Sequence, residues 1–247
     1  MRGRDCAAPR NVVKYAPMAY FITSIPKSGT HLLATIVGDI TGKYPQSVKK
    51  RTPGIPYGEY AQTTNLVGHF RAFNILSSES LAALFGERQT LIMIRDPRAV
   101  CNSMVHQLMT SSNAYHREAW AQISALPFNE QVMKVARGIF ARDGTLIVAD
   151  LASICDGFHE ITLLYEGAQL LRYESLFEPA FATERMPELF GIDAPSSRAV
   201  LERALAGPTR TKREGKPDGW RAAFDDELMG FFSSNYSELL ERMGVAP

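Results

Sequence analysis

The sequence predicts an α/β fold: a central, mainly parallel sheet flanked by helices. Two observations carry that expectation. Short apolar runs of β character alternate with segments of helical periodicity along the chain. The first such run, at residues 19–25, also passes through a glycine-containing turn directly into a helical pattern, the opening of a strand–crossover–strand unit.

The elements follow in order. The first strand covers about 19–25 and its helix about 30–41, with Leu32, Leu33, Ile36, Val37 and Ile40 on one face. Residues 44–60, rich in Pro, Gly and Tyr, read as a loop. Residues 64–69 read as a second short strand. Residues 78–85 read as a helix capped by Ser78, with Leu81, Leu84 and Phe85 inward and Gly86 at its end. Residues 90–94 form a strongly apolar third strand. It breaks into Arg95-Asp96-Pro97-Arg98, and a helix starts near Ala99. Residues 110–130 are polar and aromatic, with a Ser-Ser-Asn run and a Pro, and read as a mobile insertion outside the core. Ile147, Leu151, Ile154, Cys155, Phe158, Ile161 and Tyr165 recur at helical spacing. Residues 145–166 therefore read as one helix with a buried face, with Gly167 as its C-cap. Residues 168–173 return to strand. The last helix covers about 225–243; Asp225, Asp226 and Glu227 suit its first turn and Gly244 its end.

At 247 residues the chain is long enough for one sizeable core, and a single domain over 1–247 is expected. The net charge of +1 supplies no global basic field for nucleic acid or a membrane surface. Lys49, Lys50 and Arg51 form a local basic cluster, a candidate anion contact or a solvated run. Cys6, Cys101 and Cys155 are far apart and odd in number, so neither a disulfide framework nor a metal-ligand spacing is implied. The N-terminus lacks a continuous apolar segment and no stretch is long enough to span a bilayer, so a cytoplasmic setting is expected.

The chemistry concentrates in Ile25-Pro26-Lys27-Ser28-Gly29-Thr30-His31-Leu32-Leu33. A strand, a tight turn and a helix start make an anion cradle. The first N–H groups of a helix have no intrahelical partner, and the helix dipole favours negative charge there. Lys27 adds a point charge, Ser28 and Thr30 add hydroxyls, and His31 is a further donor. Because the lysine precedes the glycine, this is not a Walker A loop. The alternative is an ordinary strand–helix turn with a solvated lysine.

The order Pro-Lys-Ser-Gly-Thr resembles the 5′-phosphosulfate loop of sulfotransferases, the enzymes that use 3′-phosphoadenosine 5′-phosphosulfate (PAPS) and release PAP. Three further segments resemble that family in order. Arg95 at a strand end, with Ser103 about two helical turns further on, is similar to its 3′-phosphate motif. Physically, an Arg fork at the carboxyl end of a parallel strand suits a phosphate. Arg172-Tyr173-Glu174-Ser175-Leu176 resembles its Tyr-Glu-Asp-Leu strand end, which implies that Tyr173 lies near the adenine; a tyrosine simply packed there is the alternative. Arg213-Glu214-Gly215-Lys216-Pro217-Asp218-Gly219-Trp220 resembles the loop that closes over the nucleotide. Glu214 replaces a lysine of the family pattern, so Arg213 and the Gly215 backbone carry the implied contact, and Lys212 or Lys216 stands by as substitute cation. Leu32 stands where the family often has a Trp that stacks on the base.

The resemblance implies a three-layer fold like that of P-loop NTPases, PAPS as co-substrate, no metal, and a hydroxyl of a small molecule or sugar as acceptor, with a homodimer as a candidate assembly. It also implies in-line displacement at sulfur. Charge then builds on the leaving oxygen, where Lys27 is placed to stabilise it. His69, ending the strand after the cradle helix, is the expected general base, since an imidazole titrates near neutrality. A structural His69 with an acidic base elsewhere is the alternative. His106 reads as adjacent to the nucleotide or as one layer behind the residues that touch it, and His116 and His159 as surface or helix-face residues. A nucleotide or small-molecule kinase and a non-catalytic nucleotide-binding module are the rival functions.

Overall fold

Strand β1 (Tyr20–Ser24) is buried along its whole length, so its side chains must find cover on both faces of a sheet. The computed structural model describes residues 19–48, 65–69, 88–155, 167–207 and 217–246. In it β1 is the middle strand of a five-stranded sheet in the order β2-β3-β1-β4-β7, with β2 at Gln46–Ser47, β3 at Leu66–His69, β4 at Gln89–Ile94 and β7 at Gln169–Arg172. Every pairing in this sheet is parallel, as alternation of strands and helices predicts. The short β2 arises inside the segment read as loop.

Period-two alternation assigns each face its own core. Phe21, Ile92 and Ile94 face one layer, built from α2 (Pro97–Thr110), α3 (Ala114–Ile123), α4 (Phe128–Arg137) and α7 (Asp226–Arg242). Tyr20, Ile22, Leu91 and Met93 face the other, built from α1 (Thr30–Thr41), α5 (Met186–Phe190) and α6 (Ala194–Ala206). The result is helix, sheet, helix in three layers.

Two expectations fail. Residues 110–130 are not an irregular insertion: α3 and the start of α4 run through them, and Ala119 and Ile123 are fully within the core. Asn113 caps α3 by accepting from the N–H groups of Tyr115 and His116, and Pro127 stands at the N-cap of α4. The polar residues mark helix starts. Residues 145–166 are not one helix either. β6 (Leu146–Val148) pairs antiparallel with β5 (Ile139–Phe140), and helical structure begins only at Leu151. Gly138 and Gly144 take φ of 88° and 84° around this hairpin, a region open to glycine at little cost. The expected helix at 78–85 lies outside the described residues, as do Lys49, Lys50 and Arg51.

The last helix forms as expected. Asp225 caps α7 by accepting from Leu228 N, and Gly244 follows it at φ 64°. Behind β4, Asp96 caps α2 and pairs with Arg98 through Nη2 at 3.0 Å, both residues being buried. The Arg98 guanidinium lies 4.6 Å from the Trp220 ring centre and also donates to Ala246 O at 3.0 Å. This assembly ties the turn after β4 to the C-terminal segment. Cys101 and Cys155 are buried in the same layer and are not joined in a disulfide, and burial pushes the Cys101 thiol far up. No helix among the described residues is long and apolar enough to cross a membrane.

Candidate functional site

Because the sheet is parallel, its strand ends share one rim. β1 ends at Ser24, β3 at His69, β4 at Ile94 and β7 at Arg172. The chain leaves β1 to one side for β3 and later returns to its other side for β4, so a topological switch point falls at β1. Open α/β sheets bind ligands in the crevice at such a point. The alignment continues past the strands: Ile25 N donates to Met93 O at 3.2 Å and Tyr173 N to Ile94 O at 2.8 Å. These bonds fix the cradle, Arg95 and Tyr173 relative to one another.

The turn after β1 is conformationally demanding. Lys27 takes φ 69°, and it is the non-glycine residue with positive φ among those described. Holding it there costs about 1–2 kcal/mol, strain of the kind found at ligand sites. Gly29 follows at φ 89°, and a Cβ there would stand 2.5 Å from Cδ2 of Tyr173. Only glycine lets the ring close over the turn. Gly29 is also the N-cap of α1 with no side-chain cap, so no side chain of its own occupies the first N–H groups of the helix.

Two cations converge on this turn. Arg95 Nη1 donates to Lys27 O at 3.2 Å, and its guanidinium carbon lies 4.3 Å from the Tyr173 ring centre. Burial, and then the charge of Arg95, lower the Lys27 ammonium from 10.5 to about 8. Burial raises the Tyr173 phenol. Half-buried cations held side by side are unfavourable alone and become favourable around an anion.

A cavity of about 300 Å³ opens on this turn. Lys27, Gly29, Thr30, His31, Arg95, Ser103 and Tyr173 all line it, so it gathers seven of the residues singled out from sequence. Thr30 is partly spent, since its hydroxyl pairs with that of Ser24. Leu32 lines the cavity too, without an aromatic face.

Ser28 differs from expectation. It is fully buried beneath the turn and does not line the cavity, and its hydroxyl has no partner among the described residues. Its backbone N–H is spent on Ile25 O at 3.2 Å. His69 closes β3 opposite Ser24, which puts its backbone on the rim. Arg213, Glu214, Gly215 and His159 lie outside the described residues. His106 faces Phe128, with ring centres 6.2 Å apart, and does not line the cavity.

The residue that sequence reasoning missed is His116. It lines the same cavity from α3, and burial and the Lys27 charge both lower its pKa. Nothing local marked it, because the segment holding it read as an insertion. The available signal was the helical spacing of Ala119, Ile123, Val132 and Ala136, which makes 110–130 part of the core layer beside Ser103.

A cradle that a side chain at Gly29 would fill, paired cations and a hydroxyl-lined wall fit a phosphorylated or sulfated nucleotide. No family model matches the sequence, and no curated protein matches it. Among solved structures the chain is similar to mouse sulfotransferase SULT7A1 complexed with PAP, at 15% identity and a TM-score of 0.61, covering 92% of this chain and 86% of that one. At that identity the likeness speaks for architecture: this chain has the three-layer α/β fold of a sulfotransferase.

Proposed function

We propose that this protein transfers a sulfuryl group from PAPS to a hydroxyl of a small-molecule or carbohydrate acceptor and releases PAP. The observation that carries the reading is the cavity at the switch point, where Lys27, Arg95 and the left-handed Gly29 meet. The solved neighbour's complex with PAP supports it.

In this reading Lys27, Thr30 and the first N–H groups of α1 hold the 5′-phosphosulfate end. Arg95 and Ser103 take the 3′-phosphate, His31 donates from the exposed lip, and Tyr173 borders the base. Arg213, Glu214 and Gly215 belong to the closing loop. Ser28 contributes through its place in the turn. The acceptor oxygen forms its bond to sulfur as the bond to the bridging oxygen breaks, and the electron pair leaves on the 5′-phosphate. Lys27 counters the charge that grows there. The acceptor's proton passes to His69 at the end of β3. A cytoplasmic setting goes with this proposal.

Titration of the protein with PAP, ATP and GTP by calorimetry tests the nucleotide. PAP should bind most tightly; preference for ATP in the presence of Mg²⁺ would favour a kinase. Lys27→Ala should lower turnover on the order of a hundredfold or more at saturating acceptor, with the fold intact. Near-normal turnover would remove Lys27 from the reaction. PAP binding without transfer to any phenol, alcohol, sugar or peptide would leave a nucleotide-binding module.

A further inference from the structure

His116 belongs to the same cavity as Lys27 yet has no part in the transfer described above. It sits in the first turn of α3, where Asn113 Oδ1 accepts from its backbone N–H at 3.3 Å. Its ring is fixed by a second contact, Nδ1 with Ser111 Oγ at 2.8 Å. The same hydroxyl accepts from Asn113 N at 3.2 Å, which anchors Ser111 in turn. With Nδ1 engaged, Nε2 is the nitrogen left for a ligand.

The surroundings select the kind of ligand. Among the described residues, the charged and titratable groups lining the cavity with His116 are Lys27, His31, Arg95 and Tyr173, with no carboxylate among them. From α2, Ser103, Met104 and Gln107 face it, and from β6 comes the apolar Ile147. On α4, Phe128 is engaged with His106. Burial and then the Lys27 charge lower the pKa of this half-buried imidazole, which favours its neutral form. A residue meant to grip the nucleotide's phosphates would gain by being cationic. A neutral imidazole instead offers one donor and one acceptor, and Ser111 can engage Nδ1 in either tautomer. The free nitrogen then suits a group that can donate or accept, which is a hydroxyl.

We propose that His116 is an acceptor-binding residue: its free ring nitrogen hydrogen-bonds the acceptor hydroxyl and positions it against the Lys27 end of the cavity. This rests on the sulfuryl-transfer reading, and it is separate from the proton transfer given to His69.

The test uses the full chain, PAPS, and whichever phenol, alcohol or sugar the wild type turns over fastest. His116→Ala should raise acceptor KM about tenfold, the worth of one hydrogen bond, and leave PAP affinity within about twofold. The unchanged PAP affinity also shows that the variant folds. His116→Gln places an amide nitrogen near the position of Nε2 and should keep acceptor KM within about threefold of wild type, which a merely structural loss of the ring would not allow. An unchanged acceptor KM in His116→Ala overturns the inference. So does a failure of His116→Gln to recover it, or a loss of PAP affinity as large as the loss of acceptor. Absence of PAP binding or transfer in the wild type would instead fell the underlying function, so the two failures are told apart.

Discussion

Lys27 concentrates the electrostatic problem of the site. Its ammonium is shielded from water and faces Arg95, and it holds its proton only up to about pH 8. An anionic ligand reverses both effects and draws the pKa back up. The sign follows directly: free protein at about pH 8.5 is mostly neutral at Lys27, whereas the complex is protonated, so binding takes up a proton. PAP affinity should therefore fall as pH rises above about 8. Calorimetry at about pH 8.5 in two buffers of different ionisation enthalpy should show net proton uptake, and Lys27→Met should abolish it. PAP's own phosphates are already ionised at that pH. Equal apparent enthalpies in the two buffers would mean that Lys27 does not change charge. The sequence pointed to Lys27 because the Pro-Lys-Ser-Gly-Thr order sits between a strand and a helix. It gave no hint that Arg95 bonds the Lys27 carbonyl, because the two residues meet only across the sheet.

Among the elements, the turn after β4 does the most to hold the rim in place. Asp96 accepts from the backbone N and guanidinium of Arg98, while Asp96 N donates to Glu174 Oε1 at 3.1 Å. Arg98 is only 2% exposed, so this pair lies away from water. Removing one partner strands the other: Arg98→Met should cost about 3–5 kcal/mol in urea unfolding. A loss below about 1 kcal/mol would show that the pair is dispensable. Strands and long helices with strict periodicity were legible: β1, α1, β4, β7 and α7 fall within a residue or two of expectation. The failures share a cause. In α3 and α4 the capping residues Asn113 and Pro127 look like loop formers when the apolar spacing is weighed too lightly. In β5 and β6 the strands are two and three residues long, too short for a period to register, while helical spacing from Leu151 onward spread the reading backward over them. The site was legible where it is local, at the cradle and at Arg95 and Ser103. His116 was hidden because its place in the cavity depends on how α3 packs against α2.

At the scale of the whole molecule, a parallel sheet sandwiched between helix layers explains why 15% identity to a solved neighbour coexists with a shared architecture over 92% of the chain. Many apolar side chains fill such layers equally well, provided the alternation is kept. The layer that contains Arg98 and Trp220 also encloses two thiols. Cys101 and Cys155 react as thiolates, and neither meets solvent while the layer stays closed. They are thus a built-in clock for opening: an alkylating reagent marks them only during the moments when α2 and its neighbours part. A ligand that binds the closed form at a hundred times its Kd stabilises that form by about 2.7 kcal/mol. Under conditions where closing outruns alkylation, saturating PAP should slow labelling at both positions on the order of a hundredfold. Peptide mass spectrometry would separate these two signals from Cys6. Labelling at a rate indifferent to PAP would mean that the nucleotide and the thiols report on different parts of the molecule. Equal slowing at both would make the sheet and this helix layer one cooperative unit.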